Sequence, residues 1–127
     1  MHVKAEYYHT DLIGWGKSLQ FYADIFHVYE KRLAEVVSKN TGKEVRAGVE
    51  RFQNQFILQR EQFDILRHEV NEQEKKIKAG IQSAKAKGAE DKSLTDRQAA
   101  LKDKMKQAEH IFDETRRSFY RFLSEVF

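Results

Sequence analysis

The segment Tyr8–Val36 reads YHTDLIGWGKSLQFYADIFHVYEKRLAEV, and it decides the fold class. Its apolar residues recur at spacings that alternate between four and three, from Tyr8 through Leu12 and Trp15 to Val36. This spacing places them on one side of an α-helix, at the a and d positions of a heptad repeat. The alternation of apolar and polar residues that is typical of a β-strand is absent. The segment therefore predicts a long amphipathic helix.

The same spacing continues through the rest of the chain and defines two further seams of core positions. The second seam consists of Val45, Val49, Phe52, Phe56, Gln59, Phe63, Leu66, Val70, Gln73 and Ile77. The third consists of Leu94, Gln98, Leu101, Met105, Ala108, Phe112, Thr115, Phe119, Phe122 and Val126. We therefore predict an all-α chain with three long helices, at about residues 5–40, 43–87 and 93–127.

Two short breaks separate the predicted helices. In the first, Asn40–Glu44, either Gly42 ends a helix in a left-handed conformation or Thr41 and Glu44 form a capping box. The second break is Lys87–Lys92. Because short connections favour antiparallel neighbours, we predict an up-down-up three-helix bundle with coiled-coil-like packing. A helical hairpin that dimerises, or an extended dimer with exchanged helices, satisfies the same heptads and is the alternative.

The composition excludes several classes of protein. The 127 residues include no proline and no cysteine, which favours long helices in a single domain (1–127) and excludes disulfides and thiol nucleophiles. There is no glycine-rich phosphate loop, nucleophile elbow or clustered acid–base pair, so we expect no enzyme activity, small-molecule substrate or cofactor. Charged residues interrupt the first dozen positions, and no apolar run approaches the roughly 20 residues of a membrane helix. The expected location is cytoplasmic.

Some apolar residues fall outside the three seams, at heptad position c or beside it. A matched set on adjacent helices indicates a contact surface, because c positions of such bundles normally face solvent. We predict a protein–protein interface, most simply that of a homodimer through the outer faces of the first two helices. Its residues are Phe21, Ile25, Val28, Leu58, Ile65 and Tyr120. The alternative is that these side chains only widen the intramolecular core.

Charge is unevenly distributed along the chain. The formal net charge is +3, but residues 75–106 contain ten Lys and Arg and four acidic residues, which gives +6 for this segment and −3 for the remainder. The segment is also poor in aromatic residues, so we expect a more mobile end of the bundle. A basic end of this kind is usually only solvated, but it provides an alternative function, the binding of anions or nucleic acid. The candidate residues are Lys75, Lys76, Lys78, Lys85 and Lys87.

Histidine–carboxylate pairs at helical spacing raise the possibility of a metal site. The two best pairs, His68/Glu72 and His110/Glu114, fall at the outward positions f and c, whereas metal-binding bundles hold their ligands inside. We therefore expect no metal site, and a metal-binding bundle is only a remote alternative function.

Polar and small residues also occur in helix interiors. The amides and the hydroxyl in the seams (Gln59, Gln73, Gln98 and Thr115) are expected to set the register of the helices. Gly14 and Gly16 flank Trp15, and each costs about 1 kcal/mol relative to alanine within a helix. We interpret them as space for the close approach of a neighbouring helix around Trp15, with a kink in the helix as the alternative.

Several short motifs in the first half of the chain have a distinctive amino-acid sequence. They are Phe21-Tyr22, Arg32-Leu33-Ala34-Glu35-Val36, Lys39-Asn40-Thr41, Glu44-Val45 and Val49-Glu50-Arg51-Phe52-Gln53-Asn54-Gln55-Phe56-Ile57. In these motifs, which cover about half of the chain, the sequence resembles a group of uncharacterised short helical proteins of Bacteroidetes. The resemblance implies a bacterial origin. It implies no activity, cofactor or site residue, because none is assigned to that group.

Overall fold

The computed structural model describes residues 3–82 and 92–127, which form three α-helices. Helix α1 spans Val3–Lys39, α2 spans Lys43–Gln82 and α3 spans Lys92–Val126. The described residues contain no β-strand, so the all-α prediction is confirmed. The predicted helix ends agree within two residues, except that the predicted end of the second helix, at 87, lies outside the described residues. The packing of the three helices fits a helical bundle.

The core of the bundle consists of the three predicted seams. Every seam position is buried or half-buried, including the polar ones. Five seam residues are only partly buried, and they still pack against the core: Tyr8, Trp15, Tyr22, Val45 and Val126. The heptad assignment therefore identified nearly all of the interior, and it missed Ala5 and Gly48, which are buried outside the seams.

Aromatic rings fill the middle of this core. The fully buried ring of Phe26 lies 5.1 Å from Phe56, 5.7 Å from Phe63 and 5.4 Å from Phe112, between ring centroids. These four rings belong to all three helices. Burial of one such side chain stabilises a fold by about 1.5–3 kcal/mol, and favourable ring pairs add about 0.5–1.5 kcal/mol. The aromatic layer is thus a major contributor to the stability of the bundle.

The turn between α1 and α2 is held by Asn40 rather than by a left-handed glycine. The Asn40 side-chain oxygen accepts a hydrogen bond from the Gly42 N–H at 3.2 Å. The Gly42 carbonyl accepts from the Arg46 N–H at 3.0 Å, as the residue before a helix does. Gly42 does not adopt a positive φ, so the suggestion that it ends α1 in a left-handed conformation is wrong.

Two polar layers cross the apolar core. In the first, Gln59 of α2 and Thr115 of α3 exchange hydrogen bonds of 2.8 and 3.2 Å. In the second, the Gln73 amide donates to Gln98 at 3.2 Å and to the Leu94 carbonyl at 2.9 Å. The Gln98 amide donates to a backbone carbonyl of α1 at 3.3 Å. These partners remove much of the cost of burying amides, and they fit the prediction that the amides set the register.

The close approach between helices occurs at Gly48, not at the glycines beside Trp15. A Cβ atom at Gly14 or Gly16 would meet nothing within 4 Å, so our interpretation of these two residues is wrong. A Cβ atom at Gly48 would overlap the ring of Phe122, whose Cζ lies 3.0 Å away. The hydrogen of Gly48 therefore lets the Phe122 ring lie directly on the α2 backbone.

We predict that Gly48→Ala destabilises the protein by about 1–3 kcal/mol, because the new methyl group overpacks the Phe122 ring. Gly14→Ala is the matched control and is expected to stabilise by about 1 kcal/mol, because alanine is the better helix former and the site is open. Chemical denaturation of the two variants provides the measurement. Equal stabilisation by both substitutions would contradict the close approach at Gly48.

Candidate functional site

Each pair of helices leaves a groove on the surface, and the three grooves differ in chemistry. The polar groove, between α1 and α2, is lined by Gln20, Ala23, Asp24, His27, Ile57, Arg60, Glu61, Asp64 and Arg67. The aliphatic groove, between α2 and α3, is lined by Gln62, Phe63, Ile65, Leu66, Glu69, Lys104, Gln107, Ala108 and Ile111. The aromatic groove, between α1 and α3, is lined by Phe21, Tyr22, Ile25, Tyr29, Glu109, Phe112, Asp113, Arg116 and Tyr120.

The polar groove contains cross-helix contacts between α1 and α2. Arg60 forms an ion pair with Glu30 at 3.0 Å, and the same guanidinium lies 3.0 Å from the His27 Nδ1 atom. Arg67 donates a hydrogen bond to Gln20. These side chains of α2 satisfy polar groups of α1, so the groove is best explained as a stabilising contact between the two helices.

The aliphatic groove has a buried floor and exposed walls. Phe63, Leu66 and Ala108 form the floor and belong to the core. Ile65 and Ile111 form exposed walls, and Ile65 is 62% exposed. The charged lining residues, Lys104 and Glu69, neutralise each other in an ion pair of 2.8 Å. The groove therefore presents apolar side chains with no unbalanced charge.

The aromatic groove encloses about 460 Å³ and contains five rings. Tyr22 stacks on Phe112 with a centroid distance of 4.3 Å, and the exposed Phe21 ring meets Tyr22 at 6.2 Å and 61°. At the other end, Tyr29 meets Tyr120 at 5.7 Å and 73°. The rings thus form a corner at each end of the groove, with stacked rings as part of its floor.

The two tyrosines at one end of this groove are joined through their hydroxyl groups. The Tyr29 hydroxyl donates to the Tyr120 hydroxyl at 3.0 Å. Burial raises the pKa of Tyr29 far above its ordinary value, and the hydrogen bond to Tyr120 raises it further. Tyr29 is 6% exposed whereas Tyr120 is 50% exposed, so this contact connects the core to the surface.

Charged side chains of α3 border the aromatic groove. Arg116 donates to the Asp113 carboxylate at 2.7 Å, and Arg117 approaches the same carboxylate at 3.0 Å. The hydrogen bond from Arg116 is the main reason that the pKa of Asp113 lies below its ordinary value. The pKa of Tyr22 is raised mainly by burial and secondly by the negative charge of Glu109. The groove therefore combines aromatic rings, two carboxylates and one guanidinium.

The structure does not bring the six predicted interface residues together on one surface. Phe21, Ile25 and Tyr120 line the aromatic groove, and Ile65 lines the aliphatic groove. Val28 and Leu58 are exposed and lie one or two turns from these grooves on the same helix faces. The set is divided because α3 packs on the flanks of α1 and α2 that carry these residues. Heptad spacing predicted the level of each residue along the axis of the bundle, but not its direction around that axis.

Sequence reasoning also missed lining residues of both apolar grooves. They are Ile111 in the aliphatic groove, and Glu109, Asp113 and Arg116 in the aromatic groove. A signal for the second set was present, because Asp113 and Arg116 have the spacing of an ion pair on one helix face. Their position at a groove depends on which flank of α3 meets α1, and heptad spacing alone does not specify it.

The basic segment is only partly described. Lys75 lies 3.5 Å from Glu72, and Lys78 lies 3.3 Å from Glu74, so neighbouring carboxylates offset part of the positive charge. Lys76 borders a groove with Ser93, Leu94 and Arg97. The other two candidate residues, Lys85 and Lys87, lie outside the described residues, and so does most of the connection that we predicted to be mobile.

The histidine–carboxylate pairs lie apart from any larger cluster in the described part of the chain. His110 and Glu114 contact each other at 2.8 Å on the exposed surface of α3. Within residues 3–82 and 92–127, no three His, Cys, Asp or Glu side chains are arranged to hold a metal ion. No helix in these ranges combines the length and apolar character needed to cross a membrane.

Comparison with protein-family models, curated proteins and solved structures finds no match to this chain. The chemistry of the grooves is therefore the guide to function.

We predict that Tyr29 stays protonated in the folded protein at pH values where exposed tyrosines ionise, around 10. Because its pKa is raised on folding, its contribution to stability is complete below the ordinary tyrosine pKa and is lost as the pH rises above it. Ultraviolet titration of the tyrosines measures this delay, and Tyr29→Phe should remove one of the two late-ionising groups and leave Tyr22, whose pKa is also raised. Ionisation of all five tyrosines together near pH 10 would contradict the burial and hydrogen bond of Tyr29.

Proposed function

We propose that this chain is a non-enzymatic helical bundle that acts through protein–protein interaction, and that it forms a homodimer through the aliphatic groove. The observation that carries the proposal is the exposure of Ile65 and Ile111 as walls of this groove. Leu58 extends the apolar strip by two turns along α2 and is 59% exposed. Large exposed apolar patches mark protein–protein contact surfaces, and this strip is the candidate patch on the aliphatic side.

Electrostatics favours a second copy of the chain as the occupant of this groove. Two identical surfaces repel each other if they carry unbalanced charge, but Lys104 and Glu69 are already paired here. The aromatic groove is less suited to self-contact, because the Glu109 carboxylate has no ion-pair partner among the described residues and would lose water on burial. The aliphatic groove therefore provides the better self-complementary surface.

The size of this side of the bundle also fits a dimer. A stable interface buries about 800 Å² on each partner. A helix of about 35 residues is roughly 50 Å long, and two helices packed 8–10 Å apart present a face about 20 Å wide. This face supplies the required area, with Leu58, Ile65 and Ile111 as its apolar centre.

We expect light scattering to give the wild-type protein twice the 15.0 kDa mass of one chain. Ile65→Asp should lower the mass to that of one chain while the helical content measured by circular dichroism is kept, because the side chain is exposed and its charge would be buried only in the dimer. Ile57→Asp is the matched control, since Ile57 is an exposed isoleucine of α2 in the polar groove.

Two results would remove this interface. One is a wild-type protein that has the mass of a single chain at high concentration. The other is an Ile65→Asp variant that keeps the dimer mass of the wild-type protein.

We also propose the up-down-up, antiparallel arrangement of the helices within one chain. In the pairs that join α1 to α2, the residue numbers of α2 fall as those of α1 rise. The pairs that join α2 to α3 show the same opposite order, whereas the numbers rise together in the pairs that join α1 to α3. The pairs are His9–Glu74, Gln20–Arg67 and Tyr29–Phe56; Gln59–Thr115, Glu69–Lys104 and Gln73–Gln98; and Tyr22–Phe112 and Tyr29–Tyr120. This order supports the proposal, and an extended dimer with exchanged helices is the alternative.

Spin labels distinguish these arrangements, because the chain has no cysteine of its own. In a Tyr7→Cys/Asp96→Cys variant diluted with unlabelled protein, we expect a distance within one chain of about 20 Å, two helix diameters. The Gln20→Cys/Asp64→Cys pair in α1 and α2 is the control and stays close in both arrangements. A Tyr7–Asp96 distance of about 30 Å would favour the exchanged dimer, because a continuous helix rises by that length over the roughly 20 residues between the level of Tyr7 and Asp96.

A further inference from the structure

One end of the aromatic groove already holds a cation supplied by the chain itself. The Arg116 guanidinium lies 6.0 Å from the centroid of the Tyr120 ring and donates to the Asp113 carboxylate at 2.7 Å. The Tyr29 ring meets Tyr120 at 73° and completes the corner. Aromatic faces attract cations through the negative potential above the ring. This corner therefore combines two rings and a carboxylate around a positive group.

The other end of the groove repeats these parts. Phe21 and Tyr22 meet at 61° with centroids 6.2 Å apart, and Phe112 stacks on Tyr22 at 4.3 Å. The Glu109 carboxylate borders the same end, and its charge acts on Tyr22. None of the ion pairs among the described residues includes Glu109. This corner thus has the rings and the carboxylate without a paired cation from the described part of the chain.

We infer that the corner formed by Phe21, Tyr22 and Glu109 binds a quaternary ammonium group. Such a group is attracted to the ring faces and to the carboxylate, and it has no N–H groups that need acceptors. A lysine ammonium is strongly hydrated and carries three donors, which phenyl rings cannot satisfy. The groove volume of about 460 Å³ leaves room for a trimethylammonium head and the chain attached to it.

This site is separate from the proposed dimer interface, because the aromatic and aliphatic grooves lie on opposite flanks of α3. Its ligand has two chemical sources, a free choline-like molecule and a trimethylated lysine of another protein. Both present the same trimethylammonium head, and they differ in the peptide backbone that accompanies it.

The experiment is a nuclear magnetic resonance titration of the full chain with tetramethylammonium chloride. Neopentyl alcohol, a neutral molecule of similar shape, and sodium chloride at the same ionic strength are the controls. We expect saturable shifts of the Phe21 and Tyr22 ring signals with tetramethylammonium alone. Choline and a trimethyllysine peptide are then compared, and the tighter ligand identifies the source.

Substitutions test which groups provide the affinity. Glu109→Gln and Phe21→Leu should each weaken tetramethylammonium binding by about fivefold or more, through loss of the carboxylate charge or of the ring face. Both side chains are exposed, so the fold should tolerate these changes. Tyr7→Leu, which removes an exposed aromatic ring of α1 outside the groove, should have no effect.

Two outcomes would overturn the inference. Equal shifts with neopentyl alcohol and tetramethylammonium would make the corner an apolar surface without preference for a cation. Absence of any saturable shift at Phe21 and Tyr22 would remove the site. Neither result depends on the mass of the protein in solution, so the proposed dimer is tested separately.

Discussion

The packing of the Phe26 ring against Phe56, Phe63 and Phe112 is the contact on which the rest of the structure depends. It joins one ring of α1 to rings of both other helices at a single level of the rod. Because this layer fixes the rotation of each helix about its own axis, it also determines which flanking residues face each groove. The positions of Ile25 and Ile65 at the grooves follow from the inward direction of Phe26 and Phe63 beside them.

The three sides of the bundle differ in how many of their side chains have partners within the chain. The polar side is occupied by contacts of Arg60 and Arg67 with α1, so its side chains are largely satisfied within the chain. The aliphatic and aromatic sides expose apolar groups that have no such partners in the described residues. Our two proposals assign a second copy of the chain to the aliphatic side and a quaternary ammonium group to the aromatic side, and α3 separates these two sides.

Heptad spacing predicted the helices and their interior because burial depends on position along one helix, which a single sequence records. It even placed Gln73 and Thr115 inside, although both are polar. It could not predict the sites to the same extent, because a groove is shared by two helices and depends on how each is turned towards its neighbour. The division of Phe21 from Ile65 and the unexpected close approach at Gly48 both arise from this rotation.

Gly48 and Phe122 are far apart in the sequence but occupy adjoining space in the fold. The Phe122 ring near the end of α3 already fills the space beside Gly48 near the start of α2. A larger side chain at either position would therefore overlap the other residue. In related sequences the two positions should vary together, with a larger residue at 48 paired with a smaller one at 122. This pair would then reveal the approach of the two helices in an alignment, without any structure.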